Sequence, residues 1–139
     1  MDKRIVEFIN KHHVLTIATS NKNIPWCANC FYVYMEAENA FVFTTDDDTR
    51  HGKEFELNST VAGSVVLETN IIGKIQGIQF LGKVSRPGDE LHKKARRAYL
   101  KKFPVAALMN TSLWIVYPEH VKMTDNRLGF GKKLIWNKP

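Results

Sequence analysis

At 139 residues the chain has the length of one domain, with enough material to bury a core without disulfide or metal staples. Hydrophobic residues make up 44% and charged residues 24%, and no uncharged apolar run approaches the roughly 20 residues of a membrane helix, which excludes a membrane span of that kind. The net charge of +6 permits a polyanionic partner without demanding one, and two cysteines cannot furnish a four-cysteine zinc site.

The opening segment MDKRIVEFINKHHV is charged and has neither an apolar h-region nor a small-residue cleavage site, so it reads as the start of a cytoplasmic chain with reduced cysteines. Asp2 can cap a first helix in which Ile5, Phe8, Ile9 and His12 fall on one stripe. The pattern then turns to β. VLTIATS, PWCANCFYVYM and AFVFTT read as antiparallel strands joined by hairpin-length turns at Asn21 to Asn23 and Glu36 to Asn39. DDDTRHGKEFELN predicts a short helix, with Asp48 as its cap and Phe55 facing inward. VAGSVVLE and IQGIQFLGKVS are two further strands, after which Pro87 to Asp89 turn the chain into a helix from about Glu90 to Phe103. Its apolar stripe is Leu91, Ala95, Ala98, Tyr99 and Phe103. LWIVYPEHVKMTD reads as a strand broken at Pro118, and KLIWNKP as a short terminal strand or tail. Residues 1–139 therefore form a single domain of mainly β class, a small antiparallel β-barrel, because closure removes the edges so short a chain cannot otherwise cover.

Cys27 and Cys30 form a C-x-x-C spacing that in a helix or turn would suggest redox or metal chemistry. The aromatic and β-branched residues directly after them argue for a strand. There, residues three apart point to opposite faces with Cα atoms roughly 10 Å apart, beyond the about 4.4 to 6.8 Å a disulfide spans. No metal site is expected. The six basic residues between Lys93 and Lys102 read as a solvated helix face, since nucleic-acid readout also needs a groove-entry motif or stacking aromatics, and neither is near.

Two clusters carry possible chemistry. Thr44, Thr45, Thr49, Arg50, His51 and Lys53 gather hydroxyls, cations and a helix N-terminus in a pattern suited to a phosphate dianion, although Asp46, Asp47 and Asp48 between them would repel one unless turned away. An ordinary polar loop fits the same spacing. Arg127, with Gly129, Gly131, Lys132 and Lys133 following, could approach a carboxylate or phosphate closely, or simply form a glycine-rich turn.

In this order, VLTIATS, PWCANCFYVY, AFVFTTDDDTRHGKEF, VAGSVV, GIQFLGKV and a basic helix ending KKFP resemble the pyridoxamine 5′-phosphate oxidase-like FMN-binding split-barrel superfamily over nearly the whole chain. WCANCFYVY, TRHGKEF, YLKKFPVA and TDNRLGFGKKLIW are most similar to its YhbP-like branch. The resemblance implies a six-stranded antiparallel split β-barrel with a few short helices. It also implies a homodimer with an FMN in each of two interface clefts. By position, Ala28, Asn29 and Cys30 fall on the flavin-lining strand, Thr44 and Thr45 on the end of the next, and Thr49, Arg50 and His51 on the "S-R-K"-like phosphate position, with Lys53 beside them. Thr49 stands where Ser is usual, His51 where Lys is common, and the acidic loop is one residue longer. Where the oxidases carry a C-terminal "R-L-H", this chain has Arg127, Leu128 and Gly129, so the resemblance does not extend to oxidation of pyridoxamine phosphate itself. It implies a flavin-dependent oxidoreductase acting on some other small molecule, with Arg127 or Lys132 near the flavin N1/C2 edge. The alternative is a non-catalytic cofactor-binding or sensing module for haem or deazaflavin.

Overall fold

The computed structural model describes residues 1–139. Seven antiparallel strands carry the fold: β1 (Val14–Asn21), β2 (Ile24–Met35), β3 (Ala40–Thr45), β4 (Thr60–Val66), β5 (Gln76–Ser85), β6 (Ser112–Asp125) and β7 (Lys133–Asn137). They lie in the order β3-β2-β1-β4-β5-β6-β7, and β3 also pairs with β6, so six strands close into a ring while β7 lies on the flank of β6. The C-terminal segment is thus a strand, with Leu134 and Trp136 packed on the core. The ring is split because β3 pairs only with Tyr32 to Met35 of β2. Residues 24–31 of β2 have a strand neighbour only on the β1 side.

Alternation along the strands sends one side chain in two into the barrel. Leu15 and Ile17 of β1, Tyr32 and Tyr34 of β2, Phe41 and Phe43 of β3 and Ile78 and Phe80 of β5 meet there, with Phe41 and Phe80 stacked at 4.8 Å. Helices close the two open ends. At one end α1 (Lys3–Lys11) inserts Ile5, Phe8 and Ile9, and the Tyr32 hydroxyl donates to the Ile9 carbonyl at 2.6 Å. At the other, α2 (Arg50–Leu57) inserts Phe55 against Phe43 and Trp114. The third helix, α3 (Asp89–Lys102), lies outside the barrel, with Ala95 and Tyr99 packed against Met35, Val42, Leu113 and Ile115. No helix is long and apolar enough to cross a membrane.

Two local expectations are corrected. Thr49, not Asp48, caps α2: its Oγ1 accepts from the Gly52 amide at 3.1 Å and donates to the Asp46 carbonyl at 2.7 Å, which a hydroxyl can do together and a carboxylate cannot. Pro118 does not break β6. It lies opposite Gly82 where the β5–β6 register shifts, a bulge that tolerates the missing N–H. Gly82 is required there, since a Cβ would sit 2.5 Å from the Tyr117 carbonyl oxygen.

Candidate functional site

The residues proposed as a phosphate cluster meet at the head of α2, except Thr44 and the solvent-facing Lys53. Thr45, at the end of β3, places its Oγ1 2.6 Å from His51 Nε2 and 3.3 Å from Thr49 Oγ1. The amides of Arg50 and His51, first in the helix, have no acceptor in the protein. Thr44 points to the opposite face of β3, where its hydroxyl donates to the Tyr99 hydroxyl at 3.2 Å. Neighbours in sequence, the two threonines are separated by the pleat.

Arg50 is held in place. Its Nε donates to Glu54 Oε1 at 2.9 Å, and its guanidinium lies 4.5 Å over the Trp26 ring, leaving both Nη groups without a protein partner. Glu54 is buried, and its other oxygen accepts from the buried Thr19 hydroxyl. The Thr19 hydroxyl and then the Arg50 guanidinium keep that carboxyl below the usual carboxylate range, so it stays ionised. His51 is half-buried, and burial pushes its imidazole below the ordinary histidine value, with Glu54 opposing the shift. It is therefore neutral at neutral pH, and the permanent charge at this helix head comes from Arg50, while Lys53 extends to solvent.

The acidic loop turns elsewhere. Asp47 accepts from the Ser112 hydroxyl at 2.8 Å and from Arg86 at 3.0 Å, and both lower its pKa. Asp46, Asp47 and Asp48 line a polar cavity of about 430 Å³ with Asn110, Thr111 and Ser112, which Arg50 and His51 do not reach.

Ala28, Asn29 and Cys30 lie on the open-edged part of β2, and the ladder distinguishes them. Tyr32 donates to the His13 carbonyl, so the residues hydrogen-bonded to β1 in alternation include Cys30 and Ala28. The peptide groups of Asn29, like those of Cys27 and Phe31, point to the open edge instead. Asn29 also holds its side chain on the outer face, where Oδ1 accepts from Thr16 at 2.7 Å. Cys30 is buried and its thiol is pushed up to about 11 by burial, while Cys27 is exposed on the other face, and both are free thiols.

Arg127 and Lys132 lie at the other end of the barrel. Arg127 binds the buried Asp125 through Nη2 at 2.7 Å and Nε at 3.0 Å, and it lines a cavity of about 230 Å³ with Arg4 and Lys11 of α1. Lys132 is exposed beyond it. The length of β6 separates this end from α2, roughly 40 Å along the strand. One chain cannot bring Arg127 and Arg50 to one small ligand. Thr19, Trp26 and Glu54 were missed by sequence reasoning. The Arg50 and Glu54 spacing of one helical turn was the available signal, and Thr19 and Trp26, being partners across a hairpin, carried none.

The sequence model of the pyridoxamine 5′-phosphate oxidase family matches residues 1–125. A UPF0306 protein of Photorhabdus laumondii is 43% identical over 134 residues, 96% of this chain and 94% of the relative. Among solved structures, a heme binding protein from Mycobacterium smegmatis superposes with TM-score 0.76 at 20% identity, covering 90% of this chain and 52% of the other. A FAD-binding protein from Mesorhizobium loti superposes with TM-score 0.72 at 11% identity, covering 88% and 93%. The split barrel closed by α1 and α2 is thus a shared fold, and the chain belongs to the pyridoxamine 5′-phosphate oxidase family, within its UPF0306 group.

Proposed function

We propose that the chain is an FMN-binding homodimer that acts as a flavin-dependent oxidoreductase. The observation that carries this reading is Arg50, held by Glu54 and Trp26 with both Nη groups free beside two unpaired helix-start amides. Such a head fits a phosphate monoester. The Thr45, Thr49 and His51 cluster would complete the phosphate shell, with Lys53 at its solvent side. The open peptide groups of Asn29 suit the edge of a flavin ring or its ribityl chain, with Ala28 and Cys30 shaping the strand beneath and Thr44 closing the β3 side. FMN, when bound, supplies hydride or electron transfer. The chain's own residues then bind and orient, and Arg127 or Lys132 would reach the flavin N1/C2 edge only from a second copy.

The outer face of β2, β1, β4 and β5 supports that second copy. Cys27, Asn29 and Phe31, Val14, Thr16 and Ala18, Ala62, Ser64 and Val66, and Gln79 and Leu81 lie side by side in register with no charge among them, and Lys83, bonded to Thr60, marks the border of this uncharged patch. Val66 and Leu81 are exposed on it, and Phe31 stands at its edge with its ring turned toward Phe103. An uncharged sheet face of this extent suits self-association.

The haem-binding neighbour supports a second reading, a non-catalytic module holding haem or deazaflavin. The visible spectrum of the protein as isolated separates these cofactors. The decisive measurement is titration of cofactor-free protein with FMN and with riboflavin. Arg50→Ala is expected to weaken FMN about tenfold to hundredfold and to leave riboflavin unchanged. Absence of saturable binding at micromolar FMN overturns the flavin reading.

A further inference from the structure

A second concavity lies on the outer side of the barrel where α3 ends and the 3-10 turn Pro104–Leu108 begins. It encloses about 370 Å³ between Phe31 of β2, Tyr99 and Lys102 of α3, and Phe103, Val105 and Met109 beyond it. Six of the eight lining residues are hydrophobic, and no carboxylate is among them. The rings of Phe31 and Phe103 are 5.3 Å apart, and those of Tyr99 and Phe103 are 5.1 Å apart, a continuous aromatic wall.

The single charge in this wall is unusual. Lys102 is half-buried, its ammonium donating to the His12 carbonyl at 2.9 Å and lying 5.0 Å over the Tyr32 ring. It forms no ion pair, whereas seven other basic side chains do: Lys3, Arg4, Arg50, Arg86, Lys93, Lys94 and Arg127. Burial pushes its pKa below the ordinary lysine value. An ammonium withdrawn from water without a counter-charge is costly, and an anion at that point relieves the cost. We propose that this groove binds a small aromatic monocarboxylate of one or two fused rings, its carboxylate on Lys102 and its rings against Phe31 and Phe103. The volume suits such a body and is at the small end of ligand pockets.

The groove is separate from the α2 head but adjoins the open edge of β2, because Tyr99, which lines it, accepts from Thr44 and contacts the Phe31 carbonyl. If FMN binds as proposed, the carboxylate is a candidate for the substrate class beside it. The binding itself does not rest on FMN.

The test is titration of cofactor-free protein with 1-naphthoate and, in parallel, with the neutral 1-naphthalenemethanol, followed by heteronuclear NMR. The expected result is saturable binding at Phe103 and Val105 signals, with naphthoate about tenfold tighter than the alcohol. Lys102→Met should reduce naphthoate to the level of the alcohol and leave the alcohol unchanged. Val105→Asp, at a largely exposed position, should abolish both. Equal affinity for the two probes, or naphthoate binding indifferent to Lys102→Met, overturns the proposal. So does displacement of naphthoate by FMN, which would make the groove part of the flavin cleft. Failure of FMN to bind in the Arg50 titration leaves the naphthoate result to stand by itself.

Discussion

Residue by residue, strand parity decided more than motif spacing did. Cys27 and Cys30 share a spacing associated with redox pairs, yet one is exposed and the other buried. That was legible from the strand-forming residues around them. The division of Thr44 from Thr45 follows from the same pleat, but it could be read only once β3 was fixed between β2 and β6. Glu54 was illegible because a buried carboxylate looks like any exposed helical glutamate until Thr19, far away in sequence, is found beneath it. His51 gives a pH-dependent consequence. Its folded pKa is depressed by burial, so the folded chain prefers the neutral ring. That preference contributes stability in full above the unfolded value of about 6.5 and loses it as pH falls through the folded value. In denaturant melts, wild type should therefore lose stability relative to His51→Gln as the pH is lowered from about 6.5 into the acid range. A constant difference across that window would refute the assignment. Phosphate binding at the helix head should raise the same pKa, visible in the His51 ring proton titration.

For whole elements, the hydrophobic periodicity located all three helices and every strand of the ring, because each buries one face, α1 and α2 in the barrel core and α3 against the outer wall of the barrel. The ends were less legible. The cap of α2 moved by one residue, since a three-aspartate run offers several carboxylates and the choice depends on whether the capping side chain must also donate. The continuity of β6 through Pro118 was hidden because proline in a strand is tolerated only where the partner strand makes room, and that room is Gly82. Gly82→Ala should therefore reduce the unfolding free energy by about 2 kcal/mol, as a Cβ meets backbone that cannot move aside. Gly73→Ala, where nothing lies within 4 Å, is the control and should change it by less than about 0.5 kcal/mol. Comparable losses in both variants would show that the bulge does not constrain the strand.

At the level of the molecule, the candidate site residues divide between two barrel ends, which no reading of one chain's sequence could reveal. Their union on one ligand needs a second copy, and the uncharged sheet face provides its docking area. Ala62 lies at the centre of that face, between Ala18 and Leu81. Ala62→Arg should convert a dimer to a folded monomer in sedimentation velocity, with the circular dichroism spectrum retained. A dimer that persists would place the interface elsewhere.

The closing of the ring has a further consequence for how the molecule is made. β6 is the only strand that pairs with both β3 and β5. Until it emerges from the ribosome, five strands stand as a curved sheet with two long unpaired edges, with Trp114 and Val116 missing from its interior and Ile115 from the cluster under α3. The seam of the barrel is thus among the last segments to be synthesised, and the interval before its arrival is when the nascent chain is most exposed to pairing with another chain.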